Sequence, residues 1–230
     1  MTRIETHWQV LFDHAMHLLD ELPLRARSPQ EWTFGGGTAM MLQINHRLSF
    51  DVDFFTADLQ MPEQLRDLVK DRYVDPGQGY KVGDNYIKIV FSGLGKIDFI
   101  TANSILADHA RPKTVRGRKV MLETVPEIIA KKVFHRGHNI VPRDIYDIAA
   151  ACHAGLRDEI MAVLRQMPDR LDVFATTLNI IRQEPAKTKE QIDDIVILPG
   201  FEHVQAMALE IVEELVVDTR NTLTPSGLRM

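Results

Sequence analysis

The sequence predicts an α+β protein: a mixed β-sheet with flanking helices, followed by a C-terminal helical bundle. Three observations carry this. Apolar residues alternate with period two in several short runs of the first half, the signature of half-buried strands. Helical periodicity fills almost everything after Thr124. Between the two stands Thr124-Val125-Pro126-Glu127, with Thr at an N-cap, Pro near the first turn and Glu three residues on. The boundary therefore falls near residue 125, giving a core domain over 1–125 and a helical domain over 126–230.

The elements follow in order. Trp8, Leu11, Phe12, Ala15, Leu18 and Leu19 recur at helical spacing, predicting an amphipathic helix over 6–21. Apolar runs predict strands at 31–34 and 50–55, a crossover helix at 61–72, and a hairpin pairing 85–92 with 96–101 through Ser92-Gly93-Leu94-Gly95. A short strand is expected at 119–124. Helices are then expected over 126–135, 143–154, 158–166, 171–182 and 203–218, punctuated by Pro168, Pro185 and Pro199-Gly200. The polar tail, 219–230, reads as loose. Met40, Met41, Met161 and Met207 read as core fillers, Cys152 as a small helix-core residue, and Glu210, Glu213 and Glu214 as a solvated face.

Composition narrows the function classes. The 230 residues carry 27 Lys+Arg against 32 Asp+Glu, a net charge of −5, which argues against a general nucleic-acid coat and leaves a local basic groove open. One cysteine cannot form an internal disulfide. No apolar run approaches the roughly 18–20 residues of a membrane span, and the N-terminus lacks the apolar stretch of a signal peptide. A cytoplasmic protein without a membrane partner is the expectation.

The chemistry is concentrated in Phe50-Asp51-Val52-Asp53-Phe54-Phe55. Side chains at i and i+2 of a strand share a face about 6–7 Å apart, so Asp51 and Asp53 project together while Phe50, Val52 and Phe54 face a core. Asp98, in Lys96-Ile97-Asp98-Phe99-Ile100, sits in a second apolar strand. If that strand lies beside the first, about 4.8 Å away, three acids share one patch. At about 6 Å, ionised carboxylates repel by about 2–3 kcal/mol per pair at an effective dielectric near 20. Either one is protonated, or a divalent cation neutralises them: Mg²⁺, with Mn²⁺ as an alternative, binds a few carboxylates plus substrate phosphates. Two such ions clamp an in-line phosphoryl displacement, with the third acid as base.

Upstream, Phe34-Gly35-Gly36-Gly37-Thr38 opens a helix-like run. Gly36 and Gly37 leave backbone amides at a helix N-terminus open to phosphate oxygens, and Thr38 adds a hydroxyl. A tight strand-to-helix turn uses the same residues, so the glycines alone do not decide. His46 and Arg47 read equally as phosphate-orienting groups, as partners of the acids, or as surface-loop charges.

Taken together, Gly36-Gly37-Thr38 and His46-Arg47-x-Ser49-x-Asp51-Val52-Asp53-Phe54-Phe55 resemble the nucleotidyltransferase AbiEii/AbiGii toxin family, within the DNA polymerase β-type nucleotidyltransferase superfamily. Ile128-Ile129-Ala130-Lys131-Lys132 followed by Arg143-Asp144-Ile145-Tyr146-Asp147-Ile148 is similar to the downstream Lys…Arg-Asp-x-x-Asp motif of that family. The resemblance runs from about Phe34 to Ala151. It implies the nucleotidyltransferase fold, transfer of a nucleoside monophosphate from an NTP, and a toxin encoded with a cognate antitoxin. The acceptor it implies is RNA, including tRNA, with a protein or a small molecule as alternatives. It makes Asp51 and Asp53 the metal-binding and catalytic acids, and Asp98, placed by its own strand, joins them as third metal ligand or base. Gly36, Gly37, Thr38, Arg47, Lys132 and Arg143 become the nucleotide-binding set, with Asp144 and Asp147 in support.

The downstream motif also has a local reading. Lys132 and Arg136 share a helix face one turn apart, and Lys131 lies about 100° round as the solvated neighbour; the sequence leaves open which lysine serves the site. Asp144 and Asp147 share a face at i, i+3, and Asp144 also suits a helix cap. Two readings compete with transfer: a catalytically silent nucleotide-binding or interaction module on the same fold, and a metal-dependent phosphohydrolase.

Overall fold

Residues 6–23, 28–70, 72–73, 78–193 and 195–223 are described by a computed structural model. In chain order the first part of the chain runs α1 (Trp8–Glu21), β1 (Trp32–Gly35), α2 (Gly36–Ile44), β2 (Val52–Thr56), α3 (Met61–Val69), β3 (Gln78–Val82), β4 (Tyr86–Phe91), β5 (Gly95–Thr101), β6 (Ala110–Val115) and β7 (Arg118–Glu123). The second part runs α4 (Val125–Arg136), α5 (Pro142–Ala151), α6 (Arg157–Leu164), α7 (Pro168–Arg182), α8 (Pro185–Asp193) and α9 (Glu202–Leu223). Two units result, one of residues up to Gln43 with Leu48–Thr124, the other of Ile44–Arg47 with the residues from Val125 onward.

The first unit is a seven-stranded mixed sheet in the order β3-β4-β5-β2-β1-β7-β6. The pairs β2–β5 and β1–β7 are parallel and the remaining pairs antiparallel. Period-two alternation explains its two faces. Val52, Phe54, Ile97 and Phe99 are fully buried, and Phe54 stacks on Phe34 at 5.2 Å and on Phe99 at 5.4 Å between ring centroids. The apolar stripe of α1 closes this face, with Phe12 against Phe34 and Phe54. Burying each such side chain contributes about 1.5–3 kcal/mol. α3 lies against β3, β4 and β5. The opposite face carries the polar residues of β2, β4 and β5.

Several expected elements are found with shifted ends, and three had no sequence signal. β3 and β6 are the two edge strands; their residues are largely exposed and polar, so no apolar alternation announces them. α8, Pro-Ala-Lys-Thr-Lys-Glu-Gln-Ile-Asp, lacks an apolar stripe; Thr188 and Ile192 are its buried side chains among those described. Phe50 lies before β2 and is 37 % exposed, so it is not in the core. Met207 is exposed as well, on the outer side of α9.

The second unit is helical, with α9 against α5, α6 and α7. Pro142 and Pro168 occupy the first turns of α5 and α7, where a missing amide proton costs nothing. Residues Cys152–Leu156 form a π-helical turn after α5, with Gly155 at φ 89°. Cys152 is half-buried there rather than a core residue, and burial pushes its thiol up to about 11. Residues 219–223 of the expected loose tail are helical. α9 continues to Leu223 with Thr219 fully buried, and residues 224–230 lie outside those described. Among the described residues, no helix is long and apolar enough to cross a membrane.

Candidate active site

The strand of Asp98 does lie beside the strand of Asp53. β2 and β5 pair in parallel with Asp53 opposite Asp98, Val52 opposite Ile97 and Phe54 opposite Phe99. Register partners in a sheet point to the same face, so the aromatic pair goes into the core and the two carboxylates go to the other side. Asp51 precedes β2, and its Oδ1 accepts the backbone N–H of Lys96 at 3.1 Å, which ties it to the start of β5. All three acids therefore converge at one end of two adjacent strands.

The glycine turn is what lets Asp53 sit where it does. Gly36 adopts φ +68° at the start of α2, and a Cβ there would stand 2.0 Å from Asp53 Oδ2. Any side chain at this position would expel the carboxylate, besides straining a left-handed backbone. Asp53 consequently lies against the first turn of α2, where the helix dipole favours negative charge. Gly37 and the first amides of α2 share that terminus. Thr38 is fully buried, and its hydroxyl donates to the backbone carbonyl of Asp51. It thus acts on the acids through the backbone, fixing the segment that carries Asp51.

Two lysines complete the patch, neither of them among the residues expected there from the sequence. Lys96 Nζ lies 3.1 Å from Asp98 Oδ2 and 3.5 Å from Asp51 Oδ2. Lys88, the register partner of Asp98 on β4, lies 3.4 Å from Asp98 Oδ1. That oxygen is buried and receives no hydrogen bond. Burial tends to lower the Lys96 pKa, but Asp98, Asp51 and Asp53 outweigh it and hold the ammonium above the usual lysine value. The signal was present in Lys96-Ile97-Asp98, because i and i+2 of a strand share a face.

The donor chemistry fits a hard divalent cation: carboxylate oxygens from three residues, one of them a buried oxygen without a hydrogen bond. As placed, however, Asp51 and Asp98 close on the Lys96 ammonium. Among the described residues, no three His, Cys, Asp or Glu side chains are gathered around one point as metal ligands.

A second charged cluster lies wholly within the helical unit. His46 and Arg47, expected on sequence as phosphate-orienting, acid-paired or loop charges, are buried. Arg47 grips Asp147 with Nε at 2.6 Å from Oδ1 and Nη2 at 2.9 Å from Oδ2. His46 Nε2 lies 3.0 Å from Asp147 Oδ1, while its Nδ1 is buried without a partner. An ionised carboxylate only accepts, so Nε2 carries the hydrogen. Burial lowers the His46 pKa, which keeps this ring neutral. Lys132 reaches both Asp144 and Asp147, the latter at 2.9 Å, and Arg136 reaches Asp144 at 3.2 Å. Burial alone would raise the Asp147 pKa; Arg47, Lys132 and the hydrogen bonds from His46 and Arg47 hold it well below the carboxylate range.

Asp144 is a cap as well as a charge partner, since its Oδ2 accepts the Val141 N–H at 3.4 Å. Lys131 is not solvated as expected: it is buried, 3.5 Å from Glu127 one turn earlier. Arg143 is exposed, and no carboxylate among the described residues pairs with it.

The family model described as nucleotidyl transferase AbiEii toxin, Type IV TA system, matches residues 17–217. No curated protein matches the chain. Among solved structures, the nucleotidyltransferase toxin MenT4 of Mycobacterium tuberculosis H37Rv is 14% identical, covering 92% of this chain and 83% of that chain, with a TM-score of 0.50. The antibiotic-resistance factor ANT(2'')-Ia is 16% identical, covering 72% of this chain and 94% of that chain, with a TM-score of 0.51. At these identities the two likenesses show a shared fold.

Proposed function

The chain belongs to the nucleotidyl transferase AbiEii toxin family, and from that premise we propose that the Asp51, Asp53 and Asp98 patch transfers an NMP from an NTP to an acceptor hydroxyl. Nucleotidyl transfer is the activity of this family; the metal, the acceptor and the role in the cell are our reading. The observation that carries it is the register of Asp53 against Asp98, beside the glycine turn at Gly36.

In this reading Asp51, Asp53 and Asp98 supply the oxygens for Mg²⁺ or Mn²⁺. Bound there, the cation supplies positive charge to the triphosphate and lowers the cost of bringing it to three acids. The first amides of α2, at Gly36 and Gly37, hold phosphate oxygens. Thr38 keeps Asp51 in place through its backbone carbonyl. Asp98, beside Asp53 in strand register, takes the proton of the attacking hydroxyl. The acceptor oxygen bonds to the α-phosphorus, the bond from the α-phosphorus to the bridging oxygen breaks, and pyrophosphate leaves. In the helical unit, Asp144 and Asp147 hold Lys132, Arg47 grips Asp147, and Arg143 stands exposed.

In keeping with the family description, the cellular role we propose is that of the toxin of a Type IV toxin–antitoxin system, with a cognate antitoxin as its partner; the acceptor we propose is RNA, tRNA included. The test is incorporation of label from each of the four α-³²P-NTPs into total cellular RNA, protein or small molecules. Label transfer that stops with a chelator is expected with one or more NTPs. Nucleotide binding without turnover would favour a silent module, and hydrolysis without an adduct a phosphohydrolase.

A further inference from the structure

Lys96 engages the acid patch twice. Its backbone N–H donates to Asp51 Oδ1, and its ammonium bridges Asp51 Oδ2 and Asp98 Oδ2 at 3.5 and 3.1 Å. Asp98 is nearly buried, whereas the Lys96 side chain keeps 32 % of its surface exposed. The anions are thus fixed by strand register and backbone, and the cation sits on a flexible four-carbon stem with access to solvent.

From this asymmetry we infer that Lys96 is the resident counter-ion of the acid patch and competes with a divalent cation for Asp51 and Asp98. The inference rests on the reading of the patch as the transfer site. A metal ion bound to those oxygens stands about 2.1 Å from them, and an ammonium about 3 Å from the same oxygens cannot stay beside it without strong like-charge repulsion. The backbone contact to Asp51 survives when the side chain turns away, so Asp51 keeps its position in both states. Freed from the carboxylates, the ammonium is available to a phosphate oxygen, its other natural partner. The patch is therefore charge-compensated before the metal arrives, which removes the repulsion among three bare carboxylates. Lys88, paired with Asp98 across β4 and β5, holds the other oxygen in the same way but reaches neither Asp51 nor Asp53 within ion-pair distance.

The test is Mn²⁺ binding to the full chain without nucleotide, followed by the electron paramagnetic resonance signal of free Mn²⁺. Lys96→Met keeps the length and removes the charge, and it is expected to tighten binding roughly fivefold or more. Lys96→Arg retains the charge and is expected to stay near wild type. Asp53→Asn is expected to weaken binding in both the wild-type and the Lys96→Met backgrounds. A merely structural lysine would give weaker binding on substitution, so tightening is diagnostic; Lys96→Gln provides a second neutral side chain should Lys96→Met fail to fold. Unchanged or weaker binding in the neutral variants, with dependence on Asp53 retained, overturns the counter-ion inference alone. Binding indifferent to Asp53→Asn overturns the reading of the acid patch, and the inference with it.

Discussion

Asp147→Asn is expected to destabilise the protein by about 3–5 kcal/mol, the cost of breaking a buried ion pair from one side. Asp147 is fully buried and receives Arg47, Lys132 and His46. Neutralising it leaves two buried cations sharing Asp144, whose oxygens already serve Lys132, Arg136 and the α5 cap. The measurement is urea denaturation followed by far-ultraviolet circular dichroism; a loss below about 1 kcal/mol would contradict the assignment. The sign of the pH dependence follows from the depressed pKa of Asp147. Its contribution is present above the unfolded value near 3.9 and is lost as the pH falls through the folded value, because the unfolded chain binds the proton first. The variant is expected to lose that part of the acid limb.

Asp98→Asn is the substitution expected to cost most in activity. It preserves shape and burial at the register partner of Asp53 while removing a metal oxygen and the proton acceptor. Loss of a general base alone typically costs about 10²–10⁴-fold, and weaker metal binding adds to it. Unlike the cations around Asp147, Lys88 and Lys96 are partly exposed and can turn to solvent, so the fold is expected to persist. Single-turnover transfer with saturating NTP, on protein whose circular dichroism matches wild type, reads the effect. A rate within tenfold of wild type would remove Asp98 from the chemistry.

The parts of this structure that were legible in the sequence are those written in local periodicity. Val52, Phe54, Ile97 and Phe99 announced two buried strand faces, and the acids between them announced the other side. What period two cannot give is strand order; that β5 pairs with β2, in the register Asp53 to Asp98, emerges only in the assembled sheet. The pairing of Arg47 with Asp147 spans 100 residues and has no local sign. The edge strands β3 and β6 and the polar helix α8 escaped for a common reason: they bury little, so no apolar rhythm marks them. Lys96 carries a local sign, standing two residues before an acid in an apolar strand. Phe50 shows the opposite limit: the apolar alternation continues upstream of the first residue of β2, where the chain is no longer in the sheet.

The central claim is that Asp51, Asp53 and Asp98 hold a divalent cation for nucleotidyl transfer. Anomalous diffraction from crystals of the full chain grown with Mn²⁺ and a non-hydrolysable NTP tests it most directly. The account predicts a Mn²⁺ peak about 2.1 Å from carboxylate oxygens of Asp51, Asp53 and Asp98, with the Lys96 ammonium turned away from Asp51 and Asp98. A Mn²⁺–nucleotide complex seated elsewhere, with Asp51 and Asp98 still closed on Lys96, would contradict it.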